Sequence, residues 1–490
     1  AAQTEAGGEK NLVMPSASCV ANLNPLLEGY KEAAMLNPIY DPLYVIDVNE
    51  TRYYLADSYE VSEDGMQITV KLKEGLKWHD GEAITADDMI FTMDVCSDTN
   101  NGAGGTNIVI LNDQPVKYEK VDDLTVKVTL PMASASYADL LGGLTLIPEH
   151  VFEGNPSVVS AGEANMKGIG SGPYKVTEFK QDEYLLLEKY EDYYMGAPSI
   201  DKVTFRIISD LSAQEVALMN GEVNFMELAN APAVAKYEAD PNFTVVKYPE
   251  GRVNYLAVNK FCETVQDPKV VEAVFAALNR DEIIAGAYGD GMAESANSIF
   301  SNVNTFYDPS VEGYTQDVEK AKQLVKETGL DSKTLTLYFN SERVYMKESA
   351  QIIQQQLKNV GINLEVIPLE SAGFFEKVFG TDGDYEFYLN GYGAVGDPDQ
   401  VVAGMYDGTW GVNLAVSDEV SQLWKDARTV YTPEERAAIY KQIQIQTRDE
   451  LTCYPIAYPN YVFVTTSNIK GADTIKRTPV FEDYTKLTME

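Results

Sequence analysis

Only two histidines occur in the 490 residues, His79 within Lys77-Trp78-His79-Asp80-Gly81 and His150 within Pro148-Glu149-His150. A general base or a metal site built on imidazole would need one of them, with partners. Neither has such partners at a recognisable spacing, and both read as structural. Asp397 and Asp399 have the spacing of a carboxylate pair that could act on glycosides. Among 75 acidic residues, however, a close pair carries almost no information. Cys19, Cys96, Cys262 and Cys453 are widely scattered, with no C-x-x-C and no Cys/His cluster, which argues against zinc. They are either buried thiols or the material of one or two disulfides. The phosphate-binding loop, the G-x-S-x-G elbow, H-E-x-x-H and the dinucleotide fingerprint are all absent. These absences argue against an enzyme and against a bound cofactor.

The elements that would position a binding site follow from hydrophobic periodicity. Residues 66–72 alternate strictly, with Met66, Ile68, Val70 and Leu72 on one face, and residues 124–130 do the same. Such alternation predicts half-buried strands of an antiparallel sheet. Between them Thr85 can cap a helix, with Asp87 and Asp88 in the first turn where the helix dipole favours acids. Two further strands are predicted at 184–187 and 202–207. Asp267-Pro268 is a cap followed by a first-turn proline, and opens a helix with Val270, Val271, Val274, Phe275 and Leu278 on one stripe. A helix over 317–326 stops at Gly329. A strand at 335–339, a helix at 349–360 ended by Gly361 and a strand at 362–366 form a right-handed parallel unit. Residues 433–447 form one more amphipathic helix. An antiparallel-rich part and an α/β part, with no long linker between them, suggest lobes joined by crossing strands with a ligand cleft between them.

Composition narrows the partners. Lys and Arg number 38 against 75 Asp and Glu, a formal charge of −37. Nucleic acid is excluded, because phosphates are bound by neutralising them, and docking on anionic lipid is excluded for the same reason. Self-repulsion of this size predicts a soluble monomer. At 45% hydrophobic residues the chain can bury a substantial core. No apolar run approaches the roughly 18 residues of a membrane span. The opening Ala-Ala-Gln-Thr-Glu-Ala-Gly-Gly-Glu-Lys is small and polar, and reads as the tether of an exported, processed protein.

Residues 55–91 carry the most specific string, from Leu55-Ala56-Asp57 through Trp78-His79-Asp80-Gly81 to Thr85-Ala86-Asp87-Asp88. It closely resembles the signature of the family 5 extracellular solute-binding proteins, the peptide and nickel class of ABC importers. Gly170-Ser171-Gly172-Pro173-Tyr174-Lys175 resembles the family's "GTGPYK". Residues 192–198 resemble "DYWxGxP" with Tyr194 in place of Trp, and residues 217–222, 255–259 and 321–329 resemble further family strings. The resemblance covers roughly residues 10–465. It implies an α/β, two-lobed periplasmic-binding-protein-like fold of the cluster C type, with an extra subdomain on the first lobe. The implied parts are a tether at 1–10, lobe I from 11–50, 166–258 and 466–490, the subdomain at 51–165, and lobe II at 259–465. Strand crossings are expected near 255–265 and 460–475. The implied role is capture of an oligopeptide or dipeptide between the lobes and its delivery to an ABC permease, with a lipid anchor at the N-terminus. An oligosaccharide or another uncharged-ended solute is the alternative, and a ligand sensor or adhesion protein on the same fold a second one.

The resemblance also points to candidate ligand contacts: Tyr392, Gly393, Ala394, Asp397, Trp410 and Asn413. In peptide binders the segment matching 390–400 pairs with the ligand backbone, and an Asp ahead of "[DE]P" holds the ligand's ammonium. Here Ala394 or Val395 stands at that place, and Asp397-Pro398 matches the "[DE]P" itself. Tyr392 and Trp410 offer flat faces for stacking. Trp78 reads as scaffold, and Trp424, beside Leu423 on a helix, reads as core. Nickel is disfavoured because both histidines sit in scaffold motifs.

Overall fold

The computed structural model describes residues 9–27, 35–46, 50–393, 395–407, 414, 416–474 and 483–490. They form two compact units, residues 1–247 with 462–490 and residues 248–461.

The first unit carries two separate four-stranded sheets. In one, Asn11–Ser16 lies parallel to Lys202–Ile207, which continues antiparallel through Tyr184–Lys189 to Tyr174–Lys180. In the other, Ala56–Val61, Gln67–Leu72, Thr125–Thr129 and Lys117–Asp122 are all antiparallel. The alternation read from the sequence is realised here, since Ile68, Val70 and Leu72 are buried and face Val126 and Val128. The helix Ala86–Ser97 covers this sheet. Thr85 accepts from its first turn while the Asp88 carboxylate accepts from Thr85 N–H, a reciprocal capping box. The core beneath recruits Leu26, Leu43 and Tyr44, which precede residue 51.

The Trp78-His79 turn and the Gly170–Gly172 segment lock together. His79 Nδ1 accepts the Gly170 N–H at 3.2 Å, and Nε2 donates to Gly172 O at 2.9 Å. Both glycines press on the Ile39 backbone: a Cβ on Gly170 would come 1.9 Å from Ile39 O, and one on Gly172 would come 2.7 Å from the Ile39 carbonyl carbon. Neither position can hold a side chain unless that backbone moves. Trp78 is fully buried, as its scaffold reading requires.

The second unit is a sheet covered on both faces. Its central order is Cys453–Thr466, Arg252–Val258, Phe387–Gly393, Thr334–Asn340, Asn363–Leu369. Along Arg252–Val258, Leu256 and Val258 face one core while Val253, Tyr255 and Ala257 face the other. The helices Pro268–Ala277, Val318–Thr328 and Val344–Asn359 fill the first core. Ser371–Val378, Asp418–Ala427 and Pro433–Asp449 fill the second, with Trp424 wholly buried among Phe300, Tyr406 and Tyr440. The Asp267 and Asp317 caps and the left-handed Gly329 stop stand where the sequence puts them.

Two readings are corrected. The helix expected from 349 starts at Val344, since Met346 already belongs to its buried stripe. The chain enters the second unit at 248 and leaves it after 461, not at 259 and after 465. Arg252–Val258 is paired on both sides by strands of the second unit, and therefore belongs to it. Of the two readings open for the cysteines, that of free thiols holds: Cys96, Cys262 and Cys453 are buried and Cys19 is half-buried.

The His79 imidazole is held neutral: both ring nitrogens are engaged, and burial pulls its pKa from 6.5 to about 4. A depressed histidine pKa contributes stability that is present above pH 6.5 and lost as pH falls towards 4. In urea unfolding, the wild type should lose more stability across this window than His79→Gln. Parallel losses in the two proteins would refute the assignment.

Candidate functional site

The site grows from one topological fact in the second unit. After Thr334–Asn340 the chain passes through Val344–Asn359 to Asn363–Leu369 on one side of that strand. It then returns through Ser371–Val378 to Phe387–Gly393 on the other side. The two connecting helices lie on opposite faces. Where the winding reverses, neighbouring parallel strands part at their carboxyl ends and leave a crevice. Here Thr334–Asn340 and Phe387–Gly393 pair only at Leu337 with Phe387 and Tyr338 with Tyr388.

A hollow of about 180 Å³ opens at that point, lined by Arg252, Asn340, Arg343, Met346, Phe375, Phe379, Asn390, Gly391, Tyr392 and Met405. Its floor is the end of Phe387–Gly393. One edge of this strand is paired through Gly393 with Arg252. Beyond Tyr388 its other edge is paired with no strand among the described residues. Arg252 lies across Gly391, with Nη2 donating to Gly391 O at 2.7 Å and Nε to Asn254 Oδ1 at 3.1 Å. A Cβ on Gly391 would stand 2.1 Å from Asn254 Oδ1, so a side chain there would displace Asn254 and disturb the Arg252 contacts. Glu250 is close to both guanidinium groups. Burial raises its pKa, and Arg252 and Arg343 oppose that rise.

Of the candidate contacts, Tyr392 lines the hollow. Its hydroxyl donates to Ile299 O at 2.6 Å and meets Tyr406 Oη at 3.0 Å, while its ring packs 5.1 Å from Tyr255. Burial holds its pKa well above that of an ordinary phenol, so it remains neutral. Gly393 is the exposed strand end. Ala394, Trp410 and Asn413 lie outside the described residues.

Asp397 is corrected from ligand contact to scaffold. It is 7% exposed and receives Arg436 Nη1 and Nη2 on its two oxygens, the latter bond at 3.0 Å. It also accepts from Tyr440 Oη at 3.3 Å and caps the short helix Pro398–Val401 through Asp399 N–H. Arg428 binds Asp399 and Asp407, each at 2.6 Å. The notional glycosidase pair is therefore held by two different arginines and has no shared face. Sequence reasoning missed Arg252, Arg343, Met346, Phe375, Phe379 and Met405. The usable signal was the strand–helix–strand–helix–strand order over 334–393, which marks the switch point once strand positions are drawn.

Among the described residues no three His, Cys, Asp or Glu side chains group as a metal site, and no helix is long and apolar enough to cross a membrane. Among the described residues the crevice is lined by main chain, apolar side chains, Tyr392, two asparagines and two arginines, a lining equipped to bind.

Residues 50–413 match the bacterial extracellular solute-binding proteins, family 5 (middle). The chain belongs to this family, which consists of binding proteins and not enzymes, and which serves ABC importers. It is 27% identical to the dipeptide-binding protein of Escherichia coli, over 94% of this chain and 92% of that one. The ABC transporter substrate-binding protein CtaP of Listeria monocytogenes superposes with a TM-score of 0.91 at 33% identity, over 98% of this chain and 99% of that chain. The oligopeptide-binding protein AppA of Bacillus subtilis, solved with a nonapeptide, superposes at 0.75 with 26% identity, over 98% and 99% of the two chains. The fold is the two-lobed α/β fold of the periplasmic binding proteins.

Arg436→Met would remove the two-pronged guanidinium from the buried Asp397 carboxylate, at a cost of about 3–5 kcal/mol in urea unfolding. Replacing both partners with apolar residues should recover most of that loss. A single substitution costing under about 1 kcal/mol would show that the pair is solvated.

Proposed function

We propose that this chain is the extracytoplasmic receptor of an ABC importer and that its solute is a peptide. The observation that carries this reading is the open edge of Phe387–Gly393 beside the hollow. An extended peptide can add to such an edge as a further strand, so that main-chain hydrogen bonds give affinity without regard to sequence. Relatives named for dipeptide and oligopeptide binding support the same reading. Within it, Tyr392, Gly393, Ala394, Trp410 and Asn413 remain the proposed contacts. Residues 51–165 act as a subdomain of the first lobe, which a sheet of their own supports. A lipid anchor at the N-terminus, joined through the small, polar tether 1–10, and a monomeric state complete the proposal. The charge of −37 supports the latter through self-repulsion.

Peptides of two to nine residues should raise the melting temperature and be recovered intact after incubation. A ligand at a hundred times its Kd adds about 2.7 kcal/mol of stability. A shift given only by oligosaccharides would replace the peptide reading, and a cleaved peptide would end the non-enzymatic one.

Among the described residues no carboxylate lines the hollow, and Asp397, Asp399 and Asp407 are bound to arginines. A ligand ammonium enclosed there would lack the partner that a buried charge requires. N-acetylation of a bound peptide should therefore change its affinity by less than about tenfold. Calorimetry that finds a hundredfold loss would show an ammonium anchor elsewhere.

A further inference from the structure

The hollow's charge is opposite to that of the molecule. The protein carries −37, and five of its arginines, Arg52, Arg206, Arg428, Arg436 and Arg448, stand within ion-pair distance of a carboxylate. Arg252 and Arg343 form no ion pair among the described residues, although acids outnumber bases two to one, and both line the hollow. The exposed Arg343 guanidinium makes no hydrogen bond among the described residues either. Arg252 donates one N–H from Nε and one from Nη2, which leaves three of a guanidinium's five donors. Glu250, the acid close to both, offsets only one of the two charges.

The remaining wall is apolar. Phe375 and Phe379 are 42% and 49% exposed, unusual for side chains of their size, and Met346 and Met405 complete that side. Their volume of about 180 Å³ has room for one large side chain, since an apolar cavity of ~150 Å³ admits benzene. Methionine and phenylalanine give such a pocket adaptable, polarisable contacts.

We propose that this hollow selects peptides that present a carboxylate beside one large apolar side chain, and that it discriminates against lysine- and arginine-bearing peptides. The inference rests on the peptide reading above and adds the chemistry of its preferred substrate. Two guanidinium groups match a carboxylate in charge and geometry. They repel a cation, which would find no carboxylate in the lining to replace its water. The carboxylate has two sources, an acidic side chain or the peptide's own C-terminus.

The test uses three synthetic alanine-based tetrapeptide pools, each with one Phe and one Glu, Gln or Lys at all positions. Affinities come from calorimetry on the intact protein. The Glu pool should bind at least about tenfold tighter than the Lys pool. Arg343→Gln, at an exposed site, should keep the ligand-free melting temperature and shrink that difference to below about threefold. Repeating all three pools with amidated C-termini separates the two sources: a Glu-over-Lys preference that persists belongs to the side chain, whereas an equal loss across the pools with no such preference would place the carboxylate at the terminus and overturn the side-chain selectivity. Phe375→Ala should erase the preference for Phe-bearing over all-alanine peptides. Equal binding of the Glu and Lys pools, or tighter binding of Lys, would overturn the inference and leave the peptide reading standing. Binding by no pool at all would remove that reading and this inference with it.

Discussion

A parallel sheet wound first one way and then the other cannot keep every strand end paired. The second unit is organised by that constraint. Thr334–Asn340 sends its chain to Asn363–Leu369 on one side and receives Phe387–Gly393 on the other. Each connection brings a helix to a different face, so both faces are covered and two cores form. The separation of the strand ends at Asn340 and Asn390 is the residue of this arrangement, and the hollow occupies it. Binding capacity here is a property of winding before it is one of side chains, which is why one fold can hold different solutes by changing only what lines the gap.

Charge then decides what stands near the gap. Arg436 and Arg428 hold Asp397, Asp399 and Asp407 inside the scaffold, and so take three acids away from any ligand. The desolvation cost of such pairs makes them weak contributors to stability, but they fix the chain path that follows the open strand. Arg252 does the same ahead of that strand, by bonding across Gly391. What remains accessible is cationic and apolar, in a protein whose surface is overwhelmingly acidic.

Local signals were legible in the sequence. Thr85, Asp267, Asp317 and Gly329 mark helix ends because capping and left-handed turns depend on one or two residues. Alternation at 66–72 and 124–130 revealed strands because one face is solvated. The start at Val344 escaped notice because Arg343 makes no side-chain cap, so no punctuation precedes that helix. Long-range facts were illegible for a different reason. Asp397 meets Arg436 39 residues away, and nothing in either local string announces the other. Nothing in the strings around Arg252 and Arg343 links the two, and only the strand order places them at one opening. Tyr392 was reachable only through the family likeness, which supplied a register that periodicity does not.

The two units are unequal as tasks for a growing chain. Residues 248–461 are one unbroken stretch, whereas the first unit is completed by residues 462–490. Phe225–Glu227 takes its partner from Phe463 to Thr465, so this strand waits with an unpaired edge until the whole second unit has left the ribosome. At synthesis rates of about 5–20 residues per second, the wait lasts on the order of ten seconds or more. During it, an exposed strand edge is a template for mispairing. The unit that begins the chain is thus the last to be finished, and the cell must shelter that edge, or hold the chain unfolded, until the final thirty or so residues arrive.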